Sequence, residues 1–486
     1  MTDAEKIKIL LNQPEWEAFE CKRVLVEPLK LLTSVVALAN TNGGWLVLGL
    51  EDPAKAKGAK RLIGISEKPD NASEFLKLIT KEIDPPNIVY QKHEIAITNT
   101  NGQPDKIIAL RIEKSNNVHS LKKGDTFARK GSQNIKIGAT EIMQIGYEKG
   151  TIKYENERAD LATLEDLNYD LVNQYKADLE SVETDDKAFL LDNLLATQHN
   201  GEFKLTKGAV LLFGKNPATL LGSKCSIKIT RYYGNQPNYT GEPNFVERPV
   251  SIEGPLLHQI QQTMVYFRQV VRSSPPKLRG ALFRPSFLVP EWVFQEAVTN
   301  AVIHRNYSIE NDVQVRFFDD RVEIESPGSY PGPVTVRNIR YTRYSRNPII
   351  LRTLNRFREG PNMDIGEGVD RMYKIMDSKN LYEPWYTAPT IKPYSVFLTL
   401  FNVQKTEYWD TVSKYLNDNY QITNKGARSV TGIADVLKMS KLLRAWTKRG
   451  LLEMAGSNKR DIYYRKPGQR IPEISLSRGG DNEIDK

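Results

Sequence analysis

Glu15-Trp16-Glu17-Ala18-Phe19-Glu20-Cys21-Lys22, then Ala39-Asn40-Thr41-Asn42-Gly43-Gly44, then Gly49-Leu50-Glu51-Asp52: the reading of the chain turns on these three stretches. On a strand, alternate side chains share a face, so Glu20 and Lys22 point the same way. Between them and Asp52, LTSVVALANT (32–41) is apolar along one helical face, and GGWLVLGLED (43–52) reads as a buried strand from its β-branched and aromatic content. The Gly-Gly pair lets a backbone come close to something large. A carboxylate on a strand, a second at a strand end and a nearby lysine form a set that can hold Mg or Mn against a phosphodiester. By composition alone, the same alternation also describes a solvated strand face.

The order of the pieces adds to this. E-x4-E-x-K, an ANT-x-GG turn, a hydrophobic strand, G-x-x-D and a late Phe127-Ala128-Arg129-Lys130-Gly131-Ser132 resemble the Schlafen AlbA-like domain across residues 12–145. The resemblance implies an α/β nucleic-acid-binding domain at 1–150. In Schlafen proteins the positions matching Glu15, Glu20 and Asp52 form a metal-dependent ribonuclease site. Catalytic and metal-binding roles follow for these three, with Lys22 offsetting charge on the scissile phosphate. Glu51 stands beside Asp52, so the third acid is open between them. Bacterial members are also described as DNA-binding regulators without cleavage. Lys55, Lys57, Lys60 and Arg61 cluster after the third acid, and Lys122, Lys123, Arg129 and Lys130 form a second cluster. Both read as phosphate contacts or as solvated loop faces.

Downstream, YEKGTIKYENERADLATLEDL is polar and acidic, which predicts a linker near 148–165. Residues 151–289 read as a connecting region of helix and strand. Within it, Gly208-Ala-Val-Leu-Leu-Phe-Gly214-Lys215-Asn216 has five residues between its glycines and no Ser or Thr after the lysine, so it is not a phosphate-binding P-loop. KGAVLLFGK (207–215) reads as a buried strand, and SSPPKLRGALFRP (273–285) as a loop.

A proline at 290 opens a helix on which Glu296, Asn300 and His304 fall at i, i+4 and i+8, along one face. VQVRFFDDRVEIESPG (313–328) reads as two strands about a turn. Asp364-Ile365-Gly366-Glu367-Gly368 leads into another helix, whose N-terminus is a ready anion site. Together these resemble the GHKL ATPase fold at 290–402, an α/β sandwich. E-x3-N-x3-H matches its N-box, and the glycine turn resembles its phosphate lid. The resemblance implies ATP as cofactor, held by Glu296, Asn300, His304, Ser326, Gly328, Gly366 and Gly368, with Asn300 toward Mg. GHKL proteins bond the adenine amino group through an aspartate, and this chain has Glu325-Ser326-Pro327-Gly328 at that strand end.

Residues 403–467 read as helix, helix, helix and hairpin, the winged helix-turn-helix pattern. TEYWDTVSKYLND (406–418) carries Trp409, Val412 and Leu416 on one stripe, and Ser440 reads as the cap of the last helix, which ends at Gly450. From Lys438 to Arg470 there are ten Lys or Arg against two acids, Glu453 and Asp461, favouring a phosphate backbone as partner. Arg428, Lys441, Arg444, Lys448 and, on the wing, Lys459 and Arg460 are the candidate contacts. Residues 468–486 have disorder-prone composition.

The whole is an α+β multidomain chain of 486 residues with a formal charge of +9, which permits a polyanionic partner, DNA or RNA. Two cysteines and five scattered histidines exclude a disulfide framework and argue against structural zinc. No apolar window spans a membrane, and no signal peptide is present, so a cytoplasmic location is expected. A homo-oligomer is expected from the resemblance. Three functions share these folds: a nucleotide-controlled nucleic-acid-binding regulator, a Mg/Mn-dependent nuclease acting on RNA or tRNA in phage defence, and an ATP-dependent assembly protein.

Overall fold

The computed structural model describes residues 2–274, 277–279, 282–284, 287–361, 366–387, 391–392, 394–419, 421–456 and 462–468. The chain forms two compact units, one from 1–145 with 406–486 and one from 146–405.

In the first unit, α1 (Asp3–Leu11) precedes β1 (Phe19–Lys22), α2 (Pro28–Asn40) and β2 (Gly44–Leu48). Next come α3 (Pro69–Lys81), β3 (Tyr90–Thr98) and β4 (Pro104–Ile112). A hairpin of β5 (Phe127–Lys130) and β6 (Gln133–Lys136) leads to α4 (Ala139–Lys149), which carries the chain across the unit boundary. The sheet order is β1-β2-β4-β3, with β1 and β2 parallel and the other pairs antiparallel. The β1-α2-β2 crossover buries Leu31, Leu32, Val35 and Val36 of α2 against Leu46 and Leu48. At the turn into β2, a Cβ on Gly44 would lie 2.6 Å from the Ala18 carbonyl, so only glycine lets the two strands start side by side.

The second unit has α5 (Lys207–Phe213), β7 (Ile227–Arg231), β8 (Val250–Ile252), α6 (Leu256–Ser273) and α7 (Glu291–Ile303). β9 (Val313–Phe317), β10 (Arg321–Pro327), α8 (Pro348–Arg356), α9 (Gly368–Ser378), β11 (Trp385–Tyr386) and β12 (Ser395–Phe401) complete it. Its six-stranded sheet runs β8-β7-β9-β10-β12-β11. One core reaches from Ala159 to Leu400, so residues 151–289 do not stand apart from 290–402 as a connecting region. The predicted linker is likewise built in. Glu155 is fully buried, and its carboxylate accepts from the amides of Ile349 (2.9 Å) and Ile350 (2.8 Å), two orphan donors at the start of α8.

Two local expectations are corrected. Residues 207–213 are helical, because an all-apolar run fits a buried helix as well as a buried strand and Thr206 caps it, its hydroxyl accepting from Ala209 N (3.2 Å). Residues 277–279 and 282–284, inside the expected loop, pair as strands.

The chain closes with α10 (Trp409–Asp418), α11 (Asn424–Thr431), α12 (Val436–Lys448) and a hairpin of β13 (Glu453–Ala455) and β14 (Tyr463–Arg465). Trp409 and Trp446 meet at 5.3 Å in its core. α12 starts earlier than expected: Asp435 is the cap, accepting from Leu437 and Lys438 amides, and Ser440 lies inside the helix. Among the described residues, no helix is long and apolar enough to cross a membrane.

Candidate functional site

In the first unit, β1 and the loop before it bring Glu15, Glu20 and Lys22 together. The Lys22 ammonium lies 2.8 Å from Glu20 Oε1 and 3.8 Å from Glu15 Oε1. Glu15 Oε1 also accepts from Cys21 N at 2.8 Å. Burial pushes the Glu15 carboxyl above its ordinary range, and Glu20 and Asp52 add to this against the Cys21 amide and Lys22. Burial works against the Lys22 ammonium, but Glu20 and Glu15 hold it above its usual value. Asp52 Oδ1 accepts from Ala54 N (2.8 Å).

The decisive partner of Glu20 is Arg129. Its Nη1 lies 2.7 Å from Glu20 Oε2, and Nη2 donates to the carbonyls of Trp16 (2.9 Å) and Phe19 (3.2 Å). Asn134 Nδ2 donates to both Glu20 oxygens at 3.1 Å and to Ser34 Oγ at 3.0 Å. Glu20 is 2% exposed. A divalent ion needs open carboxylate oxygens, and both oxygens here already face a cation and an amide. Glu20 therefore offers no open oxygen to a metal ion. Among the described residues, no group of three or more His, Cys, Asp or Glu is arranged to hold one.

Two expected phosphate contacts are corrected. Arg129 is buried in this ion pair. Arg61 is 1% exposed, and its guanidinium bonds the carbonyls of Glu51 (2.8 Å) and Leu11 (2.8 Å) and Cys21 Sγ (3.3 Å), tying the loop to α1. With Nη1 and Nη2 of Arg129 and the Arg61 guanidinium bonded inside, neither side chain reaches a phosphate. Lys55, Lys57 and Lys60 are exposed. Lys130 is exposed and pairs with Glu141. Asn40 of the ANT turn is buried, bonding the His119 and Phe127 carbonyls at 2.8 and 2.9 Å, and anchors β5 to α2.

In the second unit, α7 and β10 form one wall of a cavity of about 110 Å³. Ala297, Ala301, Ile324, Val396 and Leu398 make it apolar, while Asn300, His304 and Ser326 supply polar edges. Tyr330, Tyr344 and Tyr386 also line it, and nothing in their spacing marked them beforehand. Ser326 Oγ donates to the Ala301 carbonyl (2.7 Å), so toward the cavity it acts as an acceptor. His304 Nδ1 is sealed from solvent and makes no hydrogen bond among the described residues. Burial, with the Arg346 charge behind it, holds the imidazole down to about 4, so it is neutral at physiological pH.

Asn300 Nδ2 donates to Glu296 Oε1 (2.9 Å), and burial raises the Glu296 carboxyl. A Cβ on Gly368 would fall 1.7 Å from Glu296 Oε1, so α9 starts directly against this carboxylate. Gly366 lies against Arg343, and Gly328 packs on Asn306 and Arg346, away from the cavity lining. Asp364 of the expected lid lies outside the described residues. A neutral acceptor, an unpartnered imidazole and apolar walls fit a heteroaromatic base, and Ser326 can meet an exocyclic amino group.

On α12, Lys438, Lys441, Arg444 and Lys448 are exposed, while Met439, Leu443 and Trp446 are buried. Arg428 is half-buried and bonds Asn424 Oδ1 and the Ala434 carbonyl, each at 3.2 Å, closing the turn between α11 and α12. Lys459, Arg460 and residues 469–486 lie outside the described residues.

Residues 15–138 match the family model described as "Schlafen, AlbA_2". Residues 310–397 match the one described as "Putative ATP-dependent DNA helicase recG C-terminal". The expected architecture of a Schlafen AlbA-like stretch followed by an ATPase-type stretch is thus present, with α7 lying ahead of the second match. Among solved structures, the DIP2311 protein from Corynebacterium diphtheriae matches at 18% identity over 97% of each chain, with a TM-score of 0.40. No curated protein matches the chain.

Proposed function

We propose that this chain, with its Schlafen-type and ATPase-type stretches, binds nucleic acid without cutting it and takes an adenine nucleotide as a controlling ligand. The observation that carries the choice against cleavage is the state of Glu20, held on both oxygens by Arg129, Lys22 and Asn134. Lys22 and the exposed Lys55, Lys57 and Lys60 then serve phosphate attraction rather than transition-state stabilisation. The exposed cations of α12 add a second contact surface of winged-helix type.

In the second unit, Ser326 accepts from the amino group of the base and the neutral His304 faces its ring. The start of α9, with Arg343 packed against Gly366, meets the phosphates. Bound nucleotide supplies the phosphate charge that such a helix start attracts. Two buried free thiols, Cys21 and Cys225, suit a reducing cytoplasm. A homo-oligomer belongs to the same reading, and sedimentation with and without ATP tests it together with ATP-driven assembly.

Labelled tRNA, single-stranded RNA, and single- and double-stranded DNA, incubated with Mn²⁺ or EDTA, separate the functions. Retarded but intact nucleic acid is expected in both conditions, for wild type and Glu15→Ala alike. Metal-dependent cleavage that disappears in Glu15→Ala would overturn the reading in favour of a nuclease.

A further inference from the structure

We propose that a ligand in the cavity stiffens residues 146–153, through which the chain passes into the second unit, and thereby couples nucleotide occupancy to nucleic-acid affinity. This rests on the nucleotide reading above.

Two residues join the cavity to this segment. Tyr344 lines the cavity, and its hydroxyl donates to the Lys149 carbonyl at 2.6 Å. Arg346 sits just beyond the cavity wall, 3% exposed. Its Nη1 donates to the carbonyl of His304 (2.8 Å), a cavity residue at the end of α7. Nη2 donates to the carbonyls of Ser329 (2.6 Å) and Glu148 (2.8 Å), and Nε to Glu148 again (3.1 Å). One guanidinium thus holds three separate places in the chain.

The segment grips back. Ser329 Oγ donates to Glu148 Oε2 (3.1 Å), and Lys153 Nζ to the Arg346 carbonyl (3.3 Å) while standing 5.8 Å from the Tyr344 ring. A buried guanidinium met mainly by carbonyls is costly to keep charged. Burial draws it down to about 10, with Glu148 opposing. Its place in the fold is that of a positioning residue, whose function is the bonds it distributes.

The physical route is short. Side chains bordering a cavity lack partner atoms on one side and move more freely than packed ones. A base filling the cavity supplies those contacts to Tyr344 and His304. The bonds these residues share with 148 and 149 then persist longer, a coupling by restricted motion. α4 runs without interruption from 139 to 149, so the restriction acts on a helix shared with the first unit's chain. Coupling of this kind is reciprocal in affinity.

Hydrogen exchange on the full chain, with and without ATP, reads residues 146–153 directly. ATP affinity is measured in parallel, with and without whichever nucleic acid is retarded in the assay above. In wild type, exchange across 146–153 is expected to slow by about fivefold or more, and the two ligands to change each other's affinity by one shared factor of about fivefold. Arg346→Lys, outside the cavity lining, cannot bond His304, Ser329 and Glu148 together, and is expected to keep ATP binding near wild type and to lose both effects. ATP that raises the melting temperature yet leaves exchange across 146–153 unchanged would overturn the coupling and leave the nucleotide reading standing. Coupling retained in Arg346→Lys would overturn this route. No ATP-induced thermal shift in wild type would remove the nucleotide reading and the coupling with it.

Discussion

Glu20 and Arg129 are 109 positions apart in the chain and form one buried pair. Removing one partner of such a pair leaves a charge uncompensated, at a cost of about 3–5 kcal/mol. Arg129→Met should lower the stability of the first unit by that amount in chemical denaturation, and Arg129→Lys by less. A loss within error for the methionine variant would refute the pairing. The motif residues themselves were legible in sequence, since Glu15, Glu20 and Lys22 do converge. What composition could not give was the sign of the surroundings: Arg129 and Arg61 read as phosphate contacts because a guanidinium is usually solvated, and only folding brought each against carbonyls and acids. His304 gives a second residue-scale test. Its ordinary value lies near 6.5, and burial depresses it to about 4 in the fold. Folding therefore favours the neutral ring, a contribution complete above 6.5 and lost as pH falls from there toward 4, on the order of 3 kcal/mol. The unfolding midpoint of the second unit should fall between pH 7 and 5, and His304→Gln should flatten that slope. Identical profiles for the two proteins would count against a sealed, neutral imidazole.

Elements were legible where polarity and period agreed. The helix after Pro290 begins at Glu291, and the three polar residues on it do reach one region, two of them bonded and the third lining the cavity. The helix at 207–213 was not, because a run buried on every side has no period to read. α12 lies between these cases: its apolar stripe was plain, but its start moved forward by one turn because Asp435 is the better placed cap. The exposed side of α12 carries the test proper to this scale. If Lys441 and Arg444 contact phosphates, the double alanine variant should bind all sequences more weakly. It should also reduce the slope of log affinity against log salt by about 2 for duplex DNA, roughly 0.9 per contact. An unchanged slope would assign α12 to a protein partner.

At the scale of the molecule, two compact units imply two separable unfolding transitions in calorimetry. Saturating ATP should raise the one belonging to the second unit, by about 2.7 kcal/mol at 100 times the dissociation constant. A shift confined to the other transition would place the nucleotide elsewhere. The division itself departs from the sequence expectation, because β7 and β8 of the 151–289 stretch complete a sheet whose centre comes later. Glu155 shows what that means for a chain being made on the ribosome. The helix start it secures lies 194 residues further on, and the neighbours of β7 in the sheet come from 250–252 and 313–317. Until residues near 400 emerge, the early half of this unit has apolar surface and no counterpart for it, and so it must wait rather than fold as it appears. A chain stopped after residue 289 should leave the 146–289 stretch without its sheet partners, aggregation-prone and bound by chaperones. Synthesis speed across 290–400, more than the stability of the finished protein, would then govern its yield in the cell.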